Sequence, residues 1–403
     1  MATNGTTNGH AAAAALDPTA IEATASSLSP PDTHINNWAS PGLAAFDFRS
    51  DVVTTPTTSM LSAIASTTLL DDVFQADPCT LALEARLASL TGHEAALLVL
   101  SGTMGNQVAL RTHLTAPPHG VLCDHRAHIL EWEAGGVASL CGALVKGVVP
   151  RNGNYLTLED VAKHAVLSDD VHACPTRVVS LENTLGGVVT PLAECRRISR
   201  WARERGLVMH LDGARLWEAV AAGAGSLQEY CACFDSVSLC FSKGLGAPIG
   251  SILVGSAAFR KRAMWVRKSI GGGLRQAGVV SAAARVAVEE TFLGGKLSAC
   301  HARARQIAAL WEKMGGRLAM PTETNMVWFD LEAAGIGKEE FIAAGKKFGL
   351  RLLGGRLVVH YQIGEEAVVR LERLMREVLR GRGGEGLEGR VEVEPQDMAI
   401  TVE

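Results

Sequence analysis

The sequence predicts an α/β protein with a large, mostly parallel sheet and a smaller α/β unit after it. Two observations carry that expectation. From about residue 45 to about residue 290, short apolar runs alternate with amphipathic stretches of helical length, the pattern of successive βαβ units. Past about residue 292 the alternation gives way to a long helix-like stretch, short strands and two further helices.

The elements follow in order. Residues 1–44 are rich in Ala, Thr, Ser and Asn, include Pro30-Pro31, and are expected to be disordered because they offer little apolar surface to bury. Order is expected from "FDFRSDVVTTPTTSM" onward. "AALLVL" (95–100) is a buried strand that runs into the helical "SGTMGNQVALRTHL", and "GVLCD" (120–124) precedes "HRAHILEWEAGG". "TRVVSLEN" (176–183) is followed by the helical "PLAECRRISRWARERG" and then by the strand "LVMHLD" (207–212). "SVSLCFS" (236–242) leads to "GSILVGS" (250–256). These segments define a large domain over 45–291. A smaller domain, 292–381, contains "LSACHARARQIAALWEKMGG", "NMVWFDL", "LRLLGGRLVVHYQIG" and a last helix, and the Gly- and Glu-rich tail 382–403 is expected to be flexible.

Composition narrows the function. The net charge is −4 and no basic stripe stands out, so a nucleic-acid partner is not expected. No run of about 18 apolar residues exists, so no membrane span is expected. The nine cysteines form no CxxC pair and no Cys/His metal spacing, and read as free thiols in a reducing compartment. The N-terminus lacks a cationic segment before an apolar core, and "DMAITVE" is not a receptor-read address. A cytoplasmic protein without a metal site is the expectation.

In parallel sheets, functional groups collect past the carboxyl ends of the strands. Four such ends carry unusual residues. In "LVLSGTMGNQ", Ser101, Gly102, Thr103 and Gly105 offer free amides, a hydroxyl and the positive end of a helix, which suits a phosphate, although such turns also serve as plain tight connections. Asp212 closes "VMHLD" before Gly213-Ala214, either as a turn or cap residue or as a functional acid, with Arg215 three residues on. Lys243 in "SVSLCFSKGLGAPIGSILVGS" sits among Ser, Gly and Pro with little room to reach water; it is either a structural ion-pair partner or a nucleophile toward a carbonyl. "DHRAHILEWEAGG" supplies His125, His128 and Glu131, where a histidine serves as a base, a stacking ring or a helix cap. A phosphate cradle, a carboxylate and a lysine at neighbouring strand ends are together the three anchors of pyridoxal 5'-phosphate: phosphate, ring nitrogen and aldehyde.

The segments "FDFRSDVVTTPT", "DDVFQADP", "LLVLSGTMGNQVAL", "AHILEWEAGG", "HLDGARLWEAV", "SLCFSKGLGAPIGSILVG" and "RKSIGGGLRQAG" resemble, in order over about residues 46 to 365, those of the low-specificity threonine aldolases. The resemblance implies the aspartate aminotransferase-like fold type I of pyridoxal phosphate enzymes, with a mostly parallel seven-stranded sheet in the large domain. It implies that Lys243 forms the Schiff base, that Asp212 pairs with the pyridine nitrogen, that Gly102 and Thr103 hold the phosphate and that His128 stacks over the ring near the substrate hydroxyl. Ser50, Arg215 and Arg356 would grip the substrate carboxylate, whose geometry a guanidinium fork matches. Arg275 would reach a phosphate across a subunit boundary in a homotetramer built as a dimer of dimers.

The implied reaction is retro-aldol cleavage of threonine and allo-threonine to glycine and an aldehyde. One residue departs from bacterial members of the family: where they often carry a second histidine, "LENTLGG" has Leu185, leaving His128 as the candidate base. The nearest rival is an alanine racemase on the same fold and site. An inactive scaffold fits poorly with the complete Lys243, Asp212 and His128 set, and an NAD-binding fold lacks its GxGxxG after the first strand.

Overall fold

The structure is a computed structural model that describes residues 38–380. Of the disorder expected over 1–44, residues 1–37 lie outside the described residues, as does the whole 382–403 tail. Residues 38–44 make a turn and open a 3-10 helix, Gly42–Phe46.

Seven strands form the main sheet: β1 (Ala95–Val99), β2 (Gly120–Asp124), β3 (Leu144–Val148), β4 (Thr176–Glu182), β5 (Val208–Asp212), β6 (Ser236–Cys240) and β7 (Ser251–Gly255). Their order is β1-β7-β6-β5-β4-β2-β3. Strands β2 to β6 pair in parallel, while β7 runs against both its neighbours, β6 and β1. The cause is the connection: only residues 241–250 join β6 to β7, too few for the crossover helix that a parallel return requires. Helices cover the sheet, so every residue of β2, β6 and β7 is buried, and each buried Leu or Val contributes about 1.5–3 kcal/mol over an exposed one.

Three further strands, β8 (Leu318–Met320), β9 (Met326–Phe329) and β10 (Arg356–Val358), form an antiparallel sheet with its own core. Trp311 stacks on Phe329 at 4.2 Å and Phe341 meets the same ring edge-on at 6.1 Å. Phe48 belongs to this core although it precedes the main sheet in sequence. Its N–H donates to the Arg351 carbonyl (2.9 Å), and its own carbonyl accepts from Val358 N–H (2.8 Å). Thus residues 46–48, grouped by sequence with the 45–291 domain, lie along the second sheet. Three residues later, Asp51 reaches Arg215, which follows β5.

Candidate active site

The carboxyl ends of β1, β5 and β6 open onto a cavity of about 160 Å³. Gly102 and Thr103 line it from one side, His128 and Asp212 from another, and Lys243 from a third, so five of the residues singled out by sequence share one space.

The phosphate-cradle candidate is the start of the helix Gly102–His113. Ser101 caps it: its Oγ accepts from Met104 N–H at 3.1 Å, and its carbonyl accepts from Gly105 N–H. The amides of Gly102 and Thr103 donate to no protein group among the described residues. They point the positive end of a three-turn helix into the cavity, which is what an anion needs. The helix can lie this close because a Cβ on Gly102 would sit 2.7 Å from Cys240 Sγ, and one on Gly105 would run into Ser238 Oγ.

Asp212 ends β5. Its Oδ1 accepts from Ala214 N–H (3.0 Å) and its Oδ2 from Asn106 Nδ2 (2.8 Å). Lys243 follows β6 in the connection to β7 and is partly buried. Its carbonyl accepts from Gly246 N–H (2.9 Å), but its side-chain amine makes no hydrogen bond or ion pair among the described residues, although its charge is felt by Asp51, Glu182 and His128.

His128 opens the short helix His128–Glu131. Its backbone N–H donates to Glu182 Oε2 (2.8 Å), and its Nδ1 lies 2.9 Å from Glu133 Oε1. The Glu133 hydrogen bond raises the imidazole above its ordinary pKa, against the opposing effect of burial. Glu182 stands beside Asp212 in the β4–β5 register; burial and the Asp212 charge push its carboxyl up to about 7.

Of the other candidates, Ser50, Arg215 and Arg356 gather around Asp51 instead of lining the cavity. Arg215 is not free to meet a substrate with both prongs: Nε and Nη2 donate to the two Asp51 oxygens at 2.8 and 2.6 Å. Burial would push the Asp51 carboxyl up, but the Arg215 charge and hydrogen bonds bring it to about 2. Arg356 keeps more of its fork available, donating one Nη2 bond to the Arg49 carbonyl (3.1 Å). Burial and the neighbouring Arg215 charge lower its pKa. Ser50 Oγ lies 3.4 Å from Asp51 Oδ1. Arg275 belongs to neither cluster; it pairs with Asp71 at 2.7 Å with its side chain 57% exposed.

Two residues named with His128 stand outside. His125 is 4.0 Å from Asp124 and partly exposed, and Glu131 faces solvent because the helix ends there. Glu133 turns inward in its place. Sequence reasoning also missed Asp51, Glu182 and Asn106. Their signal was position: Asp51 follows Ser50 in "FRSD", Glu182 ends a buried strand, and Asn106 lies a turn into the helix after Gly102. Leu185 is buried beside Glu182, bridged to Val188, and offers only methyl groups to its surroundings.

This sheet, with an unpaired lysine, a carboxylate and open helix amides at its strand ends, is that of a lyase: the chain belongs to the beta-eliminating lyase family, which it matches over residues 47–334. Among relatives, an aldolase of Penicillium aethiopicum, vrtJ, is 65% identical over 86% of this chain and 89% of its own. The alanine racemase TOXG of Cochliobolus carbonum is 46% identical over 85% of this chain and 90% of its own. A low-specificity L-threonine aldolase of Eremothecium gossypii is 46% identical over 83% and 87%. A solved aromatic amino acid beta-eliminating lyase/threonine aldolase from Exiguobacterium superposes with a TM-score of 0.67 at 25% identity, covering 79% of this chain and 93% of its own.

Proposed function

We propose that this lyase cleaves β-hydroxy-α-amino acids, L-threonine and L-allo-threonine among them, to glycine and an aldehyde, with pyridoxal 5'-phosphate as cofactor. The observation that carries the reading is Lys243: a primary amine without a protein partner among the described residues, in one cavity with the Asp212 carboxylate and two undonated helix amides. These groups match the cofactor's aldehyde, ring nitrogen and phosphate. When bound, the cofactor supplies an electron sink for the pair released as the Cα–Cβ bond breaks.

The chain's own residues do the rest. The Gly102 and Thr103 amides would hold the phosphate, and Asp212 would keep a proton on the ring nitrogen. Arg356, with Ser50 and the Asp51-clasped Arg215, would take the substrate carboxylate and so orient the amino acid in the site. His128 donates Nδ1–H to Glu133, which leaves Nε2 to stack near the substrate and take the β-hydroxyl proton. Leu185 moves no proton, so the work of a base falls to His128.

Assembly as a dimer of dimers, with Arg275 reaching a neighbour's phosphate, belongs to the same proposal. Its support is the exposed apolar group Leu69, Leu70 and Phe74 around Asp71, the partner of Arg275. A cytoplasmic location is likewise proposed; no helix among the described residues is long and apolar enough to cross a membrane.

Alanine racemisation is the second reading, favoured by the TOXG relative, whose identity to this chain equals that of the Eremothecium gossypii aldolase. The deciding experiment is acetaldehyde release from L-threonine and L-allo-threonine with pyridoxal 5'-phosphate, run beside D-alanine formation from L-alanine. Acetaldehyde is the expected product. Racemisation without it would overturn the aldolase reading.

A further inference from the structure

Asn106 is fully buried and sits between two carboxylates: its Nδ2 lies 2.8 Å from Asp212 Oδ2 and 2.8 Å from Glu133 Oε1. Only the amide's N–H side can face them, because its oxygen would meet two acceptors with no proton between. That orientation fixes everything behind it. Asn106 Oδ1 needs a donor, and His210 Nε2 is 3.1 Å away, so His210 carries its proton on Nε2 and accepts at Nδ1. Ser236 Oγ, at 2.8 Å, gives its proton to that Nδ1 and then accepts from His113 Nε2, also at 2.8 Å. Burial holds His210 and His113 neutral, lowering them to about 3 and about 4, so every link is an uncharged bond with one possible direction.

On the other side, Glu133 Oε1 also receives His128 Nδ1–H, and Gln107 Nε2 donates to Glu133 Oε2 at 2.5 Å. The charged and titratable groups around His128 are Glu133, Glu182, Asp212 and Lys243.

We propose that Asn106 is a positioning residue that couples the two halves of the site. By dividing its two N–H groups between Asp212 and Glu133, it sets how strongly each carboxylate pulls on its own partner, the ring-nitrogen proton at Asp212 and the Nδ1 proton of His128. The chain through His210 and Ser236 to His113 keeps the amide from turning over. The inference rests on the proposed function for the parts that Asp212 and His128 play.

The test is the titration of His128, read by NMR of protein labelled with ¹³C at histidine Cε1, with the His128→Asn variant identifying its signal. The pH dependence of the bound cofactor's absorbance is read in parallel. In Asn106→Ala, Glu133 loses a donor and holds the imidazolium harder, so the His128 midpoint is expected to rise by about half a pH unit or more, with the absorbance transition displaced as well. Ser236→Ala, two links away, is expected to move the His128 midpoint less and in the same direction. His128 midpoints unchanged in both variants, with only the melting temperature lowered, would reduce Asn106 to packing and overturn the proposal. If Asn106→Ala does not fold, Ser236→Ala alone decides on the same criterion. Neither readout needs turnover, so a protein that cleaves no threonine yet shows the displaced midpoint would overturn the proposed reaction and leave the coupling standing.

Discussion

Arg215 and Asp51 are locked together by a two-pronged ion pair across 164 residues of sequence. One of the two arginines assigned to the substrate carboxylate is thus already neutralised, and Arg356 brings the net positive charge. Asp51→Asn would leave the Arg215 guanidinium buried without its counter-charge, which costs about 3–5 kcal/mol. A urea midpoint lowered to match is the expected result. The sign with pH follows from the lowered carboxyl: its contribution is complete above about pH 4 and is lost as pH falls through about 2, so parent and variant should converge in acid.

Glu133 raises the His128 pKa through the Nδ1 bond. A base must be neutral to accept a proton, so activity should fall as pH drops through that raised value. Glu133→Gln removes the charge, and the acidic limb of kcat/KM is expected to move to lower pH. An unmoved limb would take His128 out of the base's role. The linked stability runs the other way: the pair stabilises fully below the ordinary histidine pKa and the effect is lost as pH rises through the raised one.

Arg356→Ala should raise KM by about 10- to 100-fold, the worth of one or two charge-assisted hydrogen bonds, with the cofactor still bound. Loss of the cofactor's absorbance from the purified variant would instead move Arg356 out of the substrate site.

Lys243→Ala should abolish cofactor trapping by borohydride, since no other lysine lines the cavity. Mass spectrometry showing a labelled peptide elsewhere would contradict the assignment.

Gly105→Ala would drive a methyl group into Ser238 Oγ and lift the helix start from the sheet. Overpacking of this kind costs about 1–3 kcal/mol. Ser238 Oγ has no hydrogen-bond partner among the described residues, so Ser238→Ala should be nearly silent alone and restore most of the loss in the double variant. Thermal melts and phosphate-dependent cofactor retention both read this.

The apolar runs of the main sheet were legible because most of its strands are buried on both faces. Strand β3 was not: it is an edge strand, only Val148 of "LVKGV" is buried, and no apolar run marks it. In the site, Lys243, Asp212 and His128 were legible because each follows a recognisable strand or opens a marked segment. Glu131 was named as a polar residue after a strand, but the helix stops at Glu131, Trp132 turns to solvent, and the chain folds Glu133 back to His128. Asn106 could not be found by spacing at all, since its partners lie 27, 104 and 106 residues away and meet it only once the sheet is assembled.

The stretch from Phe48 to Asp51 has a bearing on motion. One end is hydrogen-bonded beside the strand that carries Arg356, and the other is clasped by Arg215 past the end of β5. Arg356 itself is tied to the Arg49 carbonyl between them. Any hinge that drew the two arginines apart would have to stretch this strap or break a buried ion pair. The spacing of the two arginines is therefore set by backbone. A substrate grip built on it, as proposed, would discriminate between amino acids by fit to a fixed gauge and not by closing around whichever one has entered.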